Sequence, residues 1–163
     1  QATHDRGLLI ADTRPFSIPS LQLTEINMPN ALQNPLTFLG RVLIAILFVP
    51  SGFGKIAGFA GIVGYVTAHG LPLPQVAAVI AIVVEIGVAL AFLVGFKTRW
   101  AALILAIYTV AAGIFFHNYW DAPAAQLMMQ QINFYKNLAI AGGVLSFAAW
   151  GAGGWSVDAK RGA

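Results

Sequence analysis

The sequence predicts an all-α fold: an integral membrane four-helix bundle with a short interfacial or re-entrant segment between helices one and two. Two observations lead to this fold class. The 163 residues are 58% hydrophobic and only 9% charged, whereas soluble domains carry about 25% charged residues. The apolar residues are also gathered into four long runs, and each run with its flanks is long enough to cross about 30 Å of hydrocarbon.

The four apolar runs are approximately residues 36–53, 73–96, 100–116 and 132–150. Residues 97–99 leave room only for a tight turn, so we expect the second and third helices to be antiparallel neighbours. Between the first two runs, residues 56–70 alternate apolar side chains with Gly and Thr. This pattern predicts a short amphipathic segment that lies along the membrane interface or dips back into it.

The domain organisation follows from the position of these runs. Residues 1–35 are expected to form an extramembrane N-terminal extension, residues 36–158 the four-helix transmembrane domain, and residues 159–163 a basic C-terminal tail. The first 27 residues are polar and contain no apolar core of the length that a signal peptide needs. Met28 is a candidate natural start, and functionless leader or read-through sequence is the alternative interpretation of residues 1–27.

Basic residues near the helix ends predict the orientation. Lys97 and Arg99 share one short loop, and in a four-helix topology Lys160 and Arg161 fall on the same side of the membrane. The loop between helices three and four carries Asp121 and no basic residue. Because cytoplasmic loops are enriched in Lys and Arg, we expect a bacterial inner (plasma) membrane protein with both termini in the cytoplasm.

Composition excludes several classes of function. The chain contains no Cys, so it has no disulfide, thiolate metal site or dithiol redox pair, and any redox role needs a borrowed cofactor. Clusters of Lys and Arg with interleaved aromatics are absent, so nucleic-acid binding is not indicated. His69 and His117 fall near the predicted interfaces, and helices one, two and four contain no His. Neither a haem nor another metal site is therefore predicted.

Glu85 is the strongest functional signal because it lies alone in the middle of an apolar run. Its position in a membrane-length helix is about 16 Å deep, near the bilayer midplane. A carboxylate at that depth must face a partner helix, a water-filled cavity or a ligand, and such residues mark functional sites by default.

Arg41 and Lys55 fall on one stripe of the first helix, because residues 41, 45, 48, 52 and 55 recur at spacings of three and four. We expect Arg41 to be the direct partner of Glu85, since a planar guanidinium suits a buried carboxylate better than an ammonium does. The candidate ligand-binding polar core comprises Arg41, Lys55, Glu85, His117, Lys136 and Asn137.

Two interpretations of this polar core stay open at the level of sequence. Its surplus of cations would attract an anionic or carbonyl-bearing ligand such as a quinone head group. The ion pair of Arg41 and Glu85 is equally consistent with a structural lock between helices, since buried ion pairs often have no other role.

Several short motifs occur in the order shown by a known family. They are Arg41, SGFGK (51–55), GLP (70–72), Glu85, GFKTR (95–99), FHNYW (116–120), FYKN (134–137) and WSVD (155–158). With these motifs the chain resembles, from about residue 36 to residue 158, the DoxX family of small four-helix membrane proteins.

The resemblance implies a function that the composition does not. The DoxX family is a group of membrane subunits associated with redox enzymes, named for a thiosulfate:quinone oxidoreductase and linked to oxidative-stress assemblies. A similar role here would be to anchor a partner oxidoreductase in the bilayer or couple it to the quinone pool, with a bound quinone and without catalysis by this chain alone. The alternatives are a structural or assembly subunit without a ligand site and, less favoured, a small transporter; homo-oligomerisation stays open.

Overall fold

The computed structural model describes residues 30–162, and all regular secondary structure in this range is helical. The elements are α1 (Asn30–Ala57), α2 (Phe59–Ala68), α3 (Pro74–Val94), α4 (Thr98–Phe116), a 3₁₀ turn (Tyr119–Asp121), α5 (Ala124–Trp150) and α6 (Val157–Arg161). The predictions about residues 1–27 and Met28 lie outside the described residues. Helix α1 begins at Asn30, so the last six residues of the predicted extension are helical and continuous with the first span.

The all-α prediction is confirmed, and the chain is an integral membrane protein by the length and composition of its helices. Three segments are long and apolar enough to cross a membrane: Ala31–Ala57, Pro74–Val94 and Thr98–Asp121. Helix α5 has 27 residues, which is also a sufficient length. Its first half carries Gln, Asn and Lys side chains, so it is less apolar than the other three.

The turn between α3 and α4 makes these helices antiparallel neighbours, as the sequence predicts. Gly95 ends α3 with φ of 74°, and the amide of Phe96 donates back to the carbonyl of Ala91. A glycine in the left-handed region is the usual way to end a helix. Lys97 also has a positive φ, of 45°, which is strained for a residue with a side chain. The chain thus reverses direction within three residues.

Helices α1 and α3 approach each other closely beside Glu85. Residues Val83–Val88 of α3 form a π-helical turn, and Gly52 of α1 faces this turn. A Cβ atom at Gly52 would stand 2.5 Å from Cγ1 of Ile86 and 3.1 Å from Cβ of Glu85. Only a glycine permits this approach, and it brings the backbone of α1 against the residue that carries the buried carboxylate.

The segment after α5 folds across the end of the bundle where α1 begins and α3 ends. The amide of Gly154 donates to Oδ1 of Asn34 at 2.7 Å. The Asp158 carboxylate accepts hydrogen bonds from the amides of Lys97 and Thr98, each at 2.8 Å, and these amides open α4. A carboxylate at a helix N-terminus satisfies free amides and complements the helix dipole.

Arg41 completes this closed end of the bundle. It is fully buried, donates to the carbonyl of Leu93 at 2.6 Å and also donates to the carbonyl of Trp155. Its guanidinium lies 5.4 Å from the centre of the Phe38 ring. The guanidinium therefore joins α1 to the last turn of α3 and to the C-terminal segment.

Replacing Gly52 by Ala should destabilise the bundle because the new methyl group overlaps Ile86 on the facing helix. The expected loss in the free energy of unfolding is about 1–3 kcal/mol, the usual cost of overpacking. Thermal unfolding in mild detergent measures it. Gly54→Ala, in the same helix, is the matched control, since a Cβ there meets nothing within 4 Å. Equal melting temperatures for the two variants would contradict the close approach.

The cap at Asp158 should make stability depend on acidic pH. Partial burial raises the pKa of Asp158, but the hydrogen bonds from Thr98 and Lys97 outweigh burial and hold this pKa below its usual value of 3.8. The stabilisation is therefore complete above the usual pKa and is lost as the pH falls through the lowered one.

Asp158→Asn keeps the shape but loses the charge and one acceptor, so it should cost about 0.5–2 kcal/mol at neutral pH. Melting temperatures of both proteins from about pH 7 to about pH 2 should converge at the acidic end. A constant difference across this range would show that the carboxylate charge does not support the cap.

Candidate ligand site between the helices

Glu85 occupies the π-helical turn of α3 with only 5% of its surface exposed. Its Oε2 atom accepts a hydrogen bond from Lys55 Nζ at 2.7 Å, and its Oε1 atom accepts one from the Tyr108 hydroxyl at 2.5 Å. Lys55 Nζ also donates to Ser51 Oγ at 2.8 Å. Both carboxylate oxygens are therefore satisfied, and one acid links α1, α3 and α4. Isolated π-helical turns within α-helices are frequent at functional sites.

The expected pairing of Arg41 with Glu85 is wrong. Gly52 lies level with Glu85, and Arg41 lies 11 residues earlier in the same helix, about 16 Å along its axis. At that level it meets Leu93 and Trp155 instead. Lys55 is the partner of Glu85. The antiparallel register of α1 and α3 puts the Lys55 side chain within reach of the carboxylate, and it puts the Arg41 guanidinium at the end of the bundle where α3 ends.

The other five predicted site residues border one cavity of about 540 Å³. Helices α1, α2, α3, α4 and α5 all contribute to its wall, which is mostly apolar. The predicted residues at its surface are Lys55, Glu85, His117, Lys136 and Asn137. The structure thus brings together every member of the predicted polar core except Arg41.

Polar groups from the C-terminal end of α4 and from α5 also line the cavity. Asn137 donates from Nδ2 to the carbonyl of Asn133 at 3.0 Å. Its Oδ1 atom is then available to accept a hydrogen bond from another partner. His117 Nδ1 lies 2.9 Å from Oε1 of Gln130. Lys136 is exposed and makes no ion pair within residues 30–162. With Lys55 and Glu85 cancelling formally, Lys136 leaves the wall with one positive charge in excess.

Helix α2 covers one side of the cavity. Its Tyr65 stacks on Phe116 of α4 with ring centroids 5.3 Å apart, and His69 meets the same Phe116 ring edge-on at 5.2 Å. Nδ1 of His69 lies 2.9 Å from the carbonyl of Tyr65. Helix α2 is the amphipathic segment that was predicted between the first two spans. Its aromatic contact with α4 holds it over the mouth of the cavity.

Tyr108 was missed by sequence reasoning, although a signal for it existed. It lies near the middle of α4, one residue before the inward-facing Thr109. A tyrosine hydroxyl far from both membrane surfaces needs a hydrogen-bond partner, and Glu85 was the acid at a comparable depth. No comparable sequence signal predicts the π-helical turn, because the sequence of Val83–Val88 is that of an ordinary apolar helix around one acid.

The polar side chains that line the cavity are hydrogen-bonding groups. Among residues 30–162, no group of three or more His, Cys, Asp or Glu side chains comes together. The polar lining groups consist of an acid paired with an ammonium group, a second ammonium group, two Asn amides, an imidazole, two phenols and the hydroxyls of Ser51 and Thr109. This set donates and accepts hydrogen bonds at the surface of an apolar cavity, as small-molecule sites do.

The fold and the site define a class: a small helical membrane protein with a polar cavity between its helices. The DoxX family model matches residues 36–118, which run from α1 to the end of α4 and include Lys55, Glu85, Tyr108 and His117. The chain belongs to the DoxX family, which confirms the resemblance drawn from the motifs.

The relatives with similar sequences are membrane proteins. The chain is 37% identical over 125 residues to inner membrane protein YphA of Escherichia coli (strain K12), covering 77% of this chain and 89% of YphA. It is 41% identical over 123 residues to inner membrane protein YqjF of the same organism, covering 74% of this chain and 87% of YqjF.

A more distant relative is eukaryotic. The ER-derived vesicles protein ERV29 of Saccharomyces cerevisiae is 29% identical over 163 residues, and the match covers 95% of this chain but only 44% of ERV29. No solved structure matches the chain.

Removing one partner of the Lys55–Glu85 pair should be far more harmful than removing both. Lys55→Met leaves a buried carboxylate supported by Tyr108 alone, and we expect the free energy of unfolding to fall by about 3–5 kcal/mol. Adding Glu85→Gln to this variant should recover most of the loss, because no charge then stays buried. Unfolding of the wild type, both single variants and the double variant in detergent gives the coupling energy; strictly additive losses would contradict a direct ion pair.

Proposed function

We propose that this protein is the membrane subunit of a redox complex and that its cavity binds a quinone for a partner oxidoreductase. The observation that carries the proposal is the cavity of about 540 Å³, whose apolar wall is interrupted by Lys55, Glu85, Tyr108 and Lys136. Membership of the DoxX family supports the same proposal, since the resemblance implies association with quinone-linked enzymes.

The chemistry of the cavity suits a quinone. A quinone head group is a flat apolar ring with carbonyl oxygens that accept hydrogen bonds, and it accepts electrons and protons when it is reduced. Apolar side chains such as Phe48, Ile80 and Ile140 can contact the ring, and the cavity volume lies in the range of small-molecule sites. The ammonium groups of Lys55 and Lys136 and the Asn137 amide can donate to carbonyl oxygens.

Each polar residue has a separate task in this proposal. Lys136, which is free of ion pairs within the described residues, attracts and orients the carbonyl end of the ligand. Glu85 and Ser51 hold the Lys55 ammonium group in place, so its third N–H is already oriented. The Tyr108 hydroxyl gives its one proton to Glu85 and can only accept a hydrogen bond from a ligand. Donors fixed before binding cost less entropy than mobile ones.

Electrons must come from a partner, because the chain offers no thiol pair and no group of metal ligands within the residues described. We therefore propose a partner oxidoreductase with its own redox cofactor. The inner-membrane relatives and the basic residues of the α3–α4 loop support a bacterial inner-membrane location with both termini in the cytoplasm.

A structural role is the second candidate, and one observation favours it. The Lys55–Glu85–Tyr108 network ties three helices together and leaves no oxygen of the carboxylate free. A subunit that only anchors or assembles a larger complex would need this lock and no ligand. The two functions differ in what happens when Glu85 changes and the protein still folds.

The first experiment is a gentle-detergent purification from native membranes, followed by mass spectrometry of the co-purifying proteins and extracted quinones. An oxidoreductase in stoichiometric amount together with bound quinone is the expected result. A chain that purifies with a partner but never with quinone would favour the structural function, and a solitary chain without quinone would contradict both the coupling and the assembly role.

Glu85→Gln should lower quinone-linked turnover of the assembled complex by about 10- to 100-fold, because a charge-assisted network that positions Lys55 and Tyr108 is lost. Turnover per assembled complex is the measurement, with assembly judged by co-purification. Asp121→Asn is the control, since it makes the same chemical change in the loop before α5, outside the cavity. Full turnover by assembled Glu85→Gln complexes would reject the ligand site.

A further inference from the structure

A second cavity, of about 530 Å³, lies at the opposite end of the bundle from the mouth covered by α2. It forms where α4 begins and α5 ends, under the segment that returns across the bundle. It shares no lining residue with the first cavity. The residues that give it chemical character are Lys97, Arg99, Trp100, Trp150, Gly151 and Asp158.

The lining of this second cavity is cationic. Lys97 and Arg99 contribute exposed side chains, and neither side chain joins an ion pair within residues 30–162. Asp158 is the acid among the lining residues, and its two oxygens already accept the amides of Lys97 and Thr98. One positive charge therefore stays in excess in the lining, and the two amide dipoles partly offset the charge of Asp158.

A glycine turn keeps the guanidinium accessible. Gly151 ends α5 with φ of 86°, and a Cβ there would stand 3.9 Å from Nε of Arg99. The backbone amide of Gly151 already donates a hydrogen bond to the carbonyl of Phe147. Without a side chain at position 151, the turn leaves Arg99 open along one face. A guanidinium exposed in this way can bind two oxygens of a phosphate at once.

Two tryptophans place the cavity at the surface of the bilayer. Trp100 is 67% exposed and Trp150 is 82% exposed, and both line the cavity at helix ends. Exposed indoles at helix ends occupy the head-group region of membranes. Phosphate groups of lipids lie at that depth. A lipid can also contact the apolar faces of the two indoles, whereas a small soluble anion cannot form such apolar contacts.

We propose that this second cavity binds the phosphate of an anionic phospholipid, with Lys97 and Arg99 on the phosphate and Trp100 and Trp150 beside the glycerol and upper acyl chains. Basic pockets between membrane helices bind anionic head groups in this manner. A bound lipid would brace the turn between α3 and α4 against the C-terminal segment, where Asp158 already joins them.

The test uses the full chain purified in a neutral detergent and titrated with dioleoyl phosphatidylglycerol, with lipid occupancy read by native mass spectrometry. Wild type should bind phosphatidylglycerol at least tenfold more tightly than phosphatidylcholine. The double variant Lys97→Gln/Arg99→Gln should bind phosphatidylglycerol about 25-fold more weakly, at about fivefold for each cation near a membrane surface.

The matched control is Lys160→Gln/Arg161→Gln, which removes the same charge from α6, outside the lining of the cavity. It should weaken binding by less than about fivefold if the site is local, because neither side chain lines the cavity and only the screened field of Arg161, which reaches Asp158, is lost. Equal weakening by both pairs would overturn the proposal in favour of diffuse attraction. Competition by inorganic phosphate as effective as that by the lipid would overturn the assignment to a phospholipid.

Discussion

The buried carboxylate of Glu85 is the constraint on which the arrangement of the helices depends. An acid deep in an apolar bundle must have both oxygens satisfied, and here Lys55 and Tyr108 satisfy them from two other helices. That requirement sets the register of α1 against α3. It also explains why Gly52 lies against the acid, since a larger residue would push α1 away and pull Lys55 out of reach.

The two buried charged residues, Glu85 and Arg41, lie at separate levels of the bundle. Arg41 uses backbone carbonyls of α3 and of the C-terminal segment, so it closes one end. Glu85 uses side chains and lies at the edge of a cavity. A charge that binds only backbone carbonyls stabilises the fold, whereas a charge at a cavity wall can also position groups that contact a ligand.

Helix α5 supplies the part of the cavity that lies beyond the family match. The match ends at residue 118, while Asn133, Lys136 and Asn137 also line the cavity. The Glu85 network is thus a feature of the matched region, and the cationic wall comes from a segment outside that match. Lys136 and Asn137 nevertheless belong to the FYKN motif (134–137), one of the motifs by which the chain resembles the family.

The sequence by itself determined the membrane class, the all-α fold, the tight turn before α4 and the grouping of five polar residues around one cavity. Hydrophobic run length, helical periodicity and the cost of a buried charge are local properties, so they can be evaluated without the tertiary structure. The tertiary structure alone decided which cation pairs with Glu85. Arg41 and Lys55 lie 14 positions apart on one stripe, which is about 21 Å. An error of about two helical turns in the axial depth of Glu85 is therefore enough to exchange the cation that reaches it. The π-helical turn and the Tyr108 contact also depend on how α1, α3 and α4 pack, since both arise only when the helices meet around the acid.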